Sequence, residues 1–168
     1  APDVSIAPPG GLTCSLISVA LTASSTTTGV GYDWGGGITT ATNTVAAAGT
    51  YSVIVTDPLN GCSASASVAV AQNIINPDVS IAPPAVLTCS LTSVTLTASS
   101  TTIGVTYDWG GGITAATNTV SAAGTYSVTV SDPANNCSAA SSVTVTQDAN
   151  VPNVSIAPPA DLTCTVTS

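Results

Sequence analysis

An internal repeat of 75 residues constrains this chain more than any other feature of its sequence. Pro2-Asp3-Val4-Ser5-Ile6-Ala7-Pro8-Pro9 returns as Pro77-Asp78-Val79-Ser80-Ile81-Ala82-Pro83-Pro84, and again as Pro152-Asn153-Val154-Ser155-Ile156-Ala157-Pro158-Pro159. Residues 2–76 align with 77–151 without a gap, and 55 of the 75 positions are identical. The chain therefore divides into a first repeat over 1–76, a second over 77–151, and the first 17 residues of a third over 152–168. A unit that stops so early in its own pattern is expected either to continue with more copies or to complete its fold against another chain. The strand-like segment Val154, Ser155, Ile156 and Ala157 is the piece that would pair with an open sheet edge of a neighbour.

Each repeat reads as strands only. Val4-Ser5-Ile6 is a short first strand, ended by Pro8-Pro9, which supply no ladder donors. Ser18 to Ala23 alternates with period two, and Val30 to Trp34 forms a third strand broken by Gly35-Gly36-Gly37. A shorter piece lies around Ala41 to Val45. Thr50 to Val55 and Ala66 to Val70 are the last two strands, joined through Asp57-Pro58-Leu59-Asn60-Gly61, where Asp-Pro and Asn-Gly are turn signals. Differences between the copies fall mostly on one parity. Val19 and Leu21 return as Val94 and Leu96 while Ala20 becomes Thr95, and Val53 and Val55 return as Val128 and Val130 while Ile54 becomes Thr129. The constant parity is the inner face, because a shift of one residue would turn the Val/Leu row to solvent. Ile17, which becomes Thr92, and Ala66, which becomes Ser141, break this rule, each placed by the pattern at the start of its strand.

Six or seven short strands in 75 residues predict an all-β fold of two-sheet sandwiches, each with one hydrophobic core. Tyr32, Trp34 and Tyr51, with Tyr107, Trp109 and Tyr126 in the second copy, are the expected large core pieces.

Composition removes most chemistry. The chain has no Lys, Arg, His, Glu, Met or Phe, and its eight aspartates give a net charge of −8. Without histidine there is no Ser-His-Asp or Cys-His site, and the expectation is a protein that is not an enzyme. A uniformly acidic chain is repelled by nucleic acid and by anionic membrane surfaces. Although 44% of residues are hydrophobic, Ser and Thr interrupt them too often for a helical membrane span. No cofactor and no metal is expected. Asp3, Asp33 and Asp57, returning as Asp78, Asp108 and Asp132, form no dense ligand loop, and calcium at a repeat junction would need backbone carbonyls besides. Asn153-Val154-Ser155 and Asn136-Cys137-Ser138 fit the acceptor pattern for N-linked glycans, and outward Thr and Ser offer sites for O-linked sugar.

Cys14 and Cys62 return as Cys89 and Cys137, and Cys164 is the third-copy equivalent of Cys14, so the gaps alternate 48, 27, 48, 27. Two regular pairings are open. Cys14 with Cys62 and Cys89 with Cys137 would close each repeat and leave Cys164 a partner beyond this sequence. Cys62 with Cys89 and Cys137 with Cys164 would instead staple neighbours. The first is preferred, because a small core gains directly from a bond closing a loop of 49 residues, worth about 2 to 4 kcal/mol. Regular cysteines fit an oxidising compartment.

The run Leu87-Thr88-Cys89-Ser90-Leu91-Thr92-Ser93-Val94-Thr95-Leu96-Thr97-Ala98, then Tyr107-Asp108-Trp109, then Ala123-Gly124-Thr125-Tyr126-Ser127-Val128-Thr129-Val130, and Asn136-Cys137-Ser138-Ala139 before Ser142-Val143-Thr144-Val145, resembles the immunoglobulin-like or PKD-like repeats of long bacterial cell-surface adhesins and extracellular filaments. The resemblance covers the whole chain. It implies an all-β fold of tandem immunoglobulin-like β-sandwich domains, an extracellular or cell-surface location, and one cysteine pair within a domain at the places held here by Cys89 and Cys137. The complete lack of Lys, Arg, Glu and His departs from such repeats and points to a passive, protease-resistant stalk or fibre. The expected function is a structural repeat unit of an extracellular bacterial fibre or surface stalk whose partners are further copies of itself; the alternative is an adhesin module binding a surface ligand or carbohydrate. The second reading expects the copies to diverge in one loop, yet Ser24-Ser25-Thr26-Thr27 returns unchanged as Ser99-Ser100-Thr101-Thr102.

Overall fold

The computed structural model describes residues 1–151 and 153–158. The first repeat contains β1 (Ser5–Ile6), β2 (Val19–Ser24), β3 (Gly31–Asp33), β4 (Thr42–Val45), β5 (Gly49–Thr56) and β6 (Ser63–Val70). The second repeats the series as β7 (Ser80–Ile81), β8 (Val94–Ser99), β9 (Thr106–Asp108), β10 (Thr117–Val120), β11 (Gly124–Asp132) and β12 (Cys137–Val145). All pairings between these strands are antiparallel, in sheets ordered β1-β2-β4 and β3-β5-β6, then β7-β8-β10 and β9-β11-β12. This is the immunoglobulin strand order in miniature, first, second and fifth-type strands facing a three-stranded sheet of the remainder. The chain is an all-β tandem of such sandwiches.

Period-two patterning builds each core. Along β2 the residues alternate buried and exposed, with Val19, Leu21 and Ala23 inside, and β8 does the same with Val94, Leu96 and Ala98. Val53 and Val55 face them from β5, both fully buried. Ile17 lies outside β2 and is 75% exposed, so its change to Thr92 obeys no inner-face rule. Ala66 is different: β6 begins three residues earlier than the pattern suggested, and Ala66 packs half-buried on the inner row opposite Val53. A serine there, Ser141, is tolerated because the site is only partly covered.

The aromatic side chains rim the core rather than fill its centre. Trp34, half-buried, packs against both apolar clusters of the first repeat and donates its indole N–H to the Thr40 carbonyl at 3.1 Å. Tyr51 donates its hydroxyl to the Ala47 carbonyl at 2.9 Å, tying β5 to the turn before it as in the tyrosine corner of immunoglobulin domains. Trp109 and Tyr126 make the same bonds to Ala115 and Ala122. Two residues after the tyrosine, where an antibody domain carries a core cysteine, stands Val53. The cysteines of this chain have moved to the poles.

Pro8-Pro9 decides what happens there. Ala7 makes the last hydrogen bond of the first edge, to Thr22. The prolines then free the chain from β2, and it crosses to the other sheet, where Leu12 bridges Gln72 just past the end of β6. The Leu12 N–H donates to the Ala71 carbonyl, and the Asn73 N–H to the Leu12 carbonyl.

Candidate functional site: the junction between repeats

Each sandwich has two poles. The leading pole carries the hairpin turn 57–62 between β5 and β6, together with Asp3 and the turn after β2. Asp3 accepts hydrogen bonds from the Ser25 hydroxyl and from the N–H and hydroxyl of Thr26. Asp78 holds the corresponding turn through Ser100, Thr101 and Thr102. That donor set gives Ser25 and Thr26, which return as Ser100 and Thr101, the same task in both copies. It also holds both carboxyls below the ordinary aspartate value, for Asp3 chiefly through the Thr26 hydroxyl. Asp78 is lowered to about 2, chiefly by the Thr101 N–H. The trailing pole carries the loop after Leu12, closed by the Thr13 N–H donating to the Leu16 carbonyl and the Leu16 N–H to the Thr13 hydroxyl.

At the junction the trailing pole of the first repeat meets the leading pole of the second. Cys14, in the trailing loop, forms a disulfide with Cys137, at the end of the second repeat's hairpin turn, with Cα atoms 5.1 Å apart. That spacing lies inside the range disulfides occupy. The Cys14 N–H donates to the Asn135 carbonyl at 3.2 Å. The Asn135 side-chain amide donates to Asn73 Oδ1 at 3.1 Å and to the Ile75 carbonyl at 2.9 Å, while its Oδ1 accepts the Cys137 N–H at 2.9 Å. Asn135 and Cys137 are 1% exposed, so the second repeat's side of these contacts is buried, while Cys14, Asn73 and Ile75 on the first repeat's side stay exposed. Buried hydrogen bonds of this kind fix orientation, because breaking one strands a desolvated group at a cost of about 1 to 3 kcal/mol.

The cysteine pairing expected within each repeat, Cys14 with Cys62 and Cys89 with Cys137, is therefore corrected. Leu12 is bonded past the end of β6, whereas Cys62 immediately precedes its first residue, Ser63. The eight residues of β6 hold those poles about 26 Å apart at about 3.3 Å per residue. Cysteines so placed cannot bond without unfolding the sandwich. The alternative of Cys62 with Cys89 fails too: both are exposed free thiols, one at each outer pole of the tandem. Cys164 lies outside the described residues.

The other sequence candidates take quieter places. Among the described residues no three His, Cys, Asp or Glu side chains gather where a metal ion could be held. Asp33 accepts the Gly35 N–H at 2.7 Å and Asp57 accepts the Leu59 N–H at 2.9 Å, so each works within its own turn. Val154, Ser155, Ile156 and Ala157 form no strand, and Val154 and Ile156 are 82% and 91% exposed. Asn136 and Asn153 are both exposed. Sequence reasoning missed Asn135. Its equivalent Asn60 reads in sequence as half of an Asn-Gly turn signal, and the trace of its other role is that Asn survives in the second copy while Gly61 becomes Asn136.

No protein-family model matches this chain, and no curated protein matches it. Several solved structures align with most of the chain. The three N-terminal domains of the bacteriophage RB49 highly immunogenic outer capsid protein align at 21% identity and a TM-score of 0.44, over 88% of this chain and 59% of that one. Drosophila OTK extracellular domains 3–5 align at 14% and 0.41, over 87% and 62%. The fibronectin(III)-like modules of Clostridium thermocellum CbhA align at 19% and 0.34, over 86% and 95%. The chain thus spans less than two thirds of the length of the first two.

Proposed function

We propose that this chain is a stretch of an extracellular structural shaft, a bacterial surface stalk or fibre in which like sandwiches are set end to end and tied covalently at their junctions. The observation that carries this reading is the bond between Cys14 and Cys137, which joins one repeat to the next instead of closing either. A staple of this kind is of no use to a domain folding alone; it restrains bending and extension between domains. Disulfides persist in oxidising, extracellular surroundings. With no Lys or Arg, the chain presents no cleavage site to trypsin-like proteases, which suits an exposed stalk.

Pulling a single molecule by its ends tests the reading. Tension entering through residue 14 passes across the disulfide to residue 137 and bypasses the chain between them. The oxidised molecule is expected to lengthen only by its end segments. Reduction should expose the 123-residue separation, adding about 400 Å of contour length at about 3.4 Å per residue, released as the sandwiches unfold. Equal extension before and after reduction contradicts a junction that carries tension through the disulfide.

A further inference from the structure

Among the described residues two thiols are free, and they occupy the same two places as the bonded pair. Cys62 is the first-repeat equivalent of Cys137, and Cys89 the second-repeat equivalent of Cys14. Their surroundings match bond for bond. In the turn before Cys62 the Gly61 N–H donates to the Asp57 carbonyl at 2.8 Å, the Leu59 N–H to Asp57 Oδ1 at 2.9 Å, and the Cys62 N–H to Asn60 Oδ1 at 2.9 Å. Before Cys137 the equivalent bonds join Asn136 to Asp132, Ala134 to Asp132 and Cys137 to Asn135, at 2.8, 2.9 and 2.9 Å. Around Cys89 the Thr88 and Leu91 bonds repeat those of Thr13 and Leu16 around Cys14.

The Cys62 side differs from its bonded equivalent in burial. Cys137 and Asn135 are buried in the junction, whereas Cys62 and Asn60 are exposed. The Asn60 amide donates to Asp57 Oδ2 at 2.8 Å, where the Asn135 amide donates across the junction. On the opposite outer pole Asp148 replaces Asn73, keeping a side-chain oxygen where Asn73 accepts the Asn135 amide. Other replacements there, Thr92 for Ile17 and Ala149 for Ile74, fall where the first copy's side chains stay 75% and 51% exposed beside the closed junction. Residues 153–158, which lead away from this pole, are exposed throughout.

We propose that Cys62 and Cys89 are the two open halves of this staple, and that Cys89 of one chain closes onto Cys62 of a second copy docked against its outer pole, reproducing the Cys14–Cys137 junction between molecules. The inference rests on the end-to-end reading above and extends it to the partner. The two thiols lose two protons and two electrons in forming one S–S bond. A small-molecule disulfide takes the electrons: one thiolate attacks it and expels a thiol, and the second thiolate displaces the remaining half, leaving two small thiols.

Two variants test it, C62S with C164S, which leaves Cys89 open, and C89S with C164S, which leaves Cys62 open. They are mixed in equal amounts in a glutathione redox buffer. The covalent product is digested with an endoproteinase that cuts before aspartate, which places Cys62 on peptide 57–77 and Cys89 on peptide 78–107. The expected result is a mixed dimer joined through those two peptides, in roughly tenfold excess over either homodimer, the preference that about 1.4 kcal/mol of docking contacts supplies. Dimers in statistical proportions, or no mixed dimer, overturn the proposal. If the Cys14 to Cys137 link persists in every molecule while the mixed dimer fails, only the intermolecular staple falls. Loss of that internal link would remove the shaft reading itself.

Discussion

Asp3 and Asp78 do at residue scale what a longer hairpin does with backbone bonds: one carboxylate gathers several donors and fixes a turn. The consequence is a sign that can be worked out. Asp78 titrates at about 2 when folded, against an ordinary value of 3.8, so folding favours its charged form. The stability this contributes is fully present above about pH 4 and is lost as the pH falls through the folded value. Denaturant midpoints of the native chain should therefore decline between about pH 4 and pH 2. Asp78→Asn should flatten part of that decline, and an unchanged slope would mean that the carboxylate has no such role. The turn was marked in the sequence by its constancy between copies, but not its reason, because Asp3 and Thr26 are 23 residues apart and meet only after β1 pairs with β2.

At the scale of single elements the sequence was most legible where one face is buried. The alternation of β2 and β8, and the constant Val53 and Val55 of β5, put the inner rows where the structure has them. Leu96 on that row is fully buried, while Thr95 beside it is exposed and shares a hydrogen bond with Thr119. Leu96→Ala should cost about 2 to 5 kcal/mol by urea denaturation, and Thr95→Ala within about 0.5 kcal/mol; similar costs for both would contradict the assigned faces. Strand ends were less legible. The pattern starts this strand at Ala66, yet β6 begins at Ser63, because Ser63-Ala64-Ser65 pair with β5 and offer only one small apolar side chain, the half-buried Ala64, to mark them. The aromatic rings were read as core filling and instead rim it, since their polar tips must reach the Thr40 and Ala47 carbonyls.

At the scale of the whole molecule the decisive feature is which pole each cysteine occupies. Spacing along the chain favoured closing a loop of 49 residues, and loop entropy takes no account of topology. The strand order does. It sets the loop after Leu12 and the turn before Cys62 at opposite ends of one sandwich, so a bond between them is excluded once that order is known. The sandwich expected from the repeats was therefore sound while the cysteine pairing inferred alongside it was not. The separation of 123 residues is one repeat of 75 plus the recurring gap of 48, so the same step carries each Cys14-type residue to the Cys62-type residue of the following repeat.

That pairing can be read directly. Because the chain has eight aspartates and no other acidic residue, cleavage before aspartate sets its five cysteines on separate peptides, 3–32, 57–77, 78–107, 132–147 and 161–168. The chain would be alkylated in acid to stop exchange, digested without reductant, and its linked peptides identified by mass. A junction closed between repeats yields peptide 3–32 joined to peptide 132–147. Peptide 3–32 joined to peptide 57–77 would contradict it.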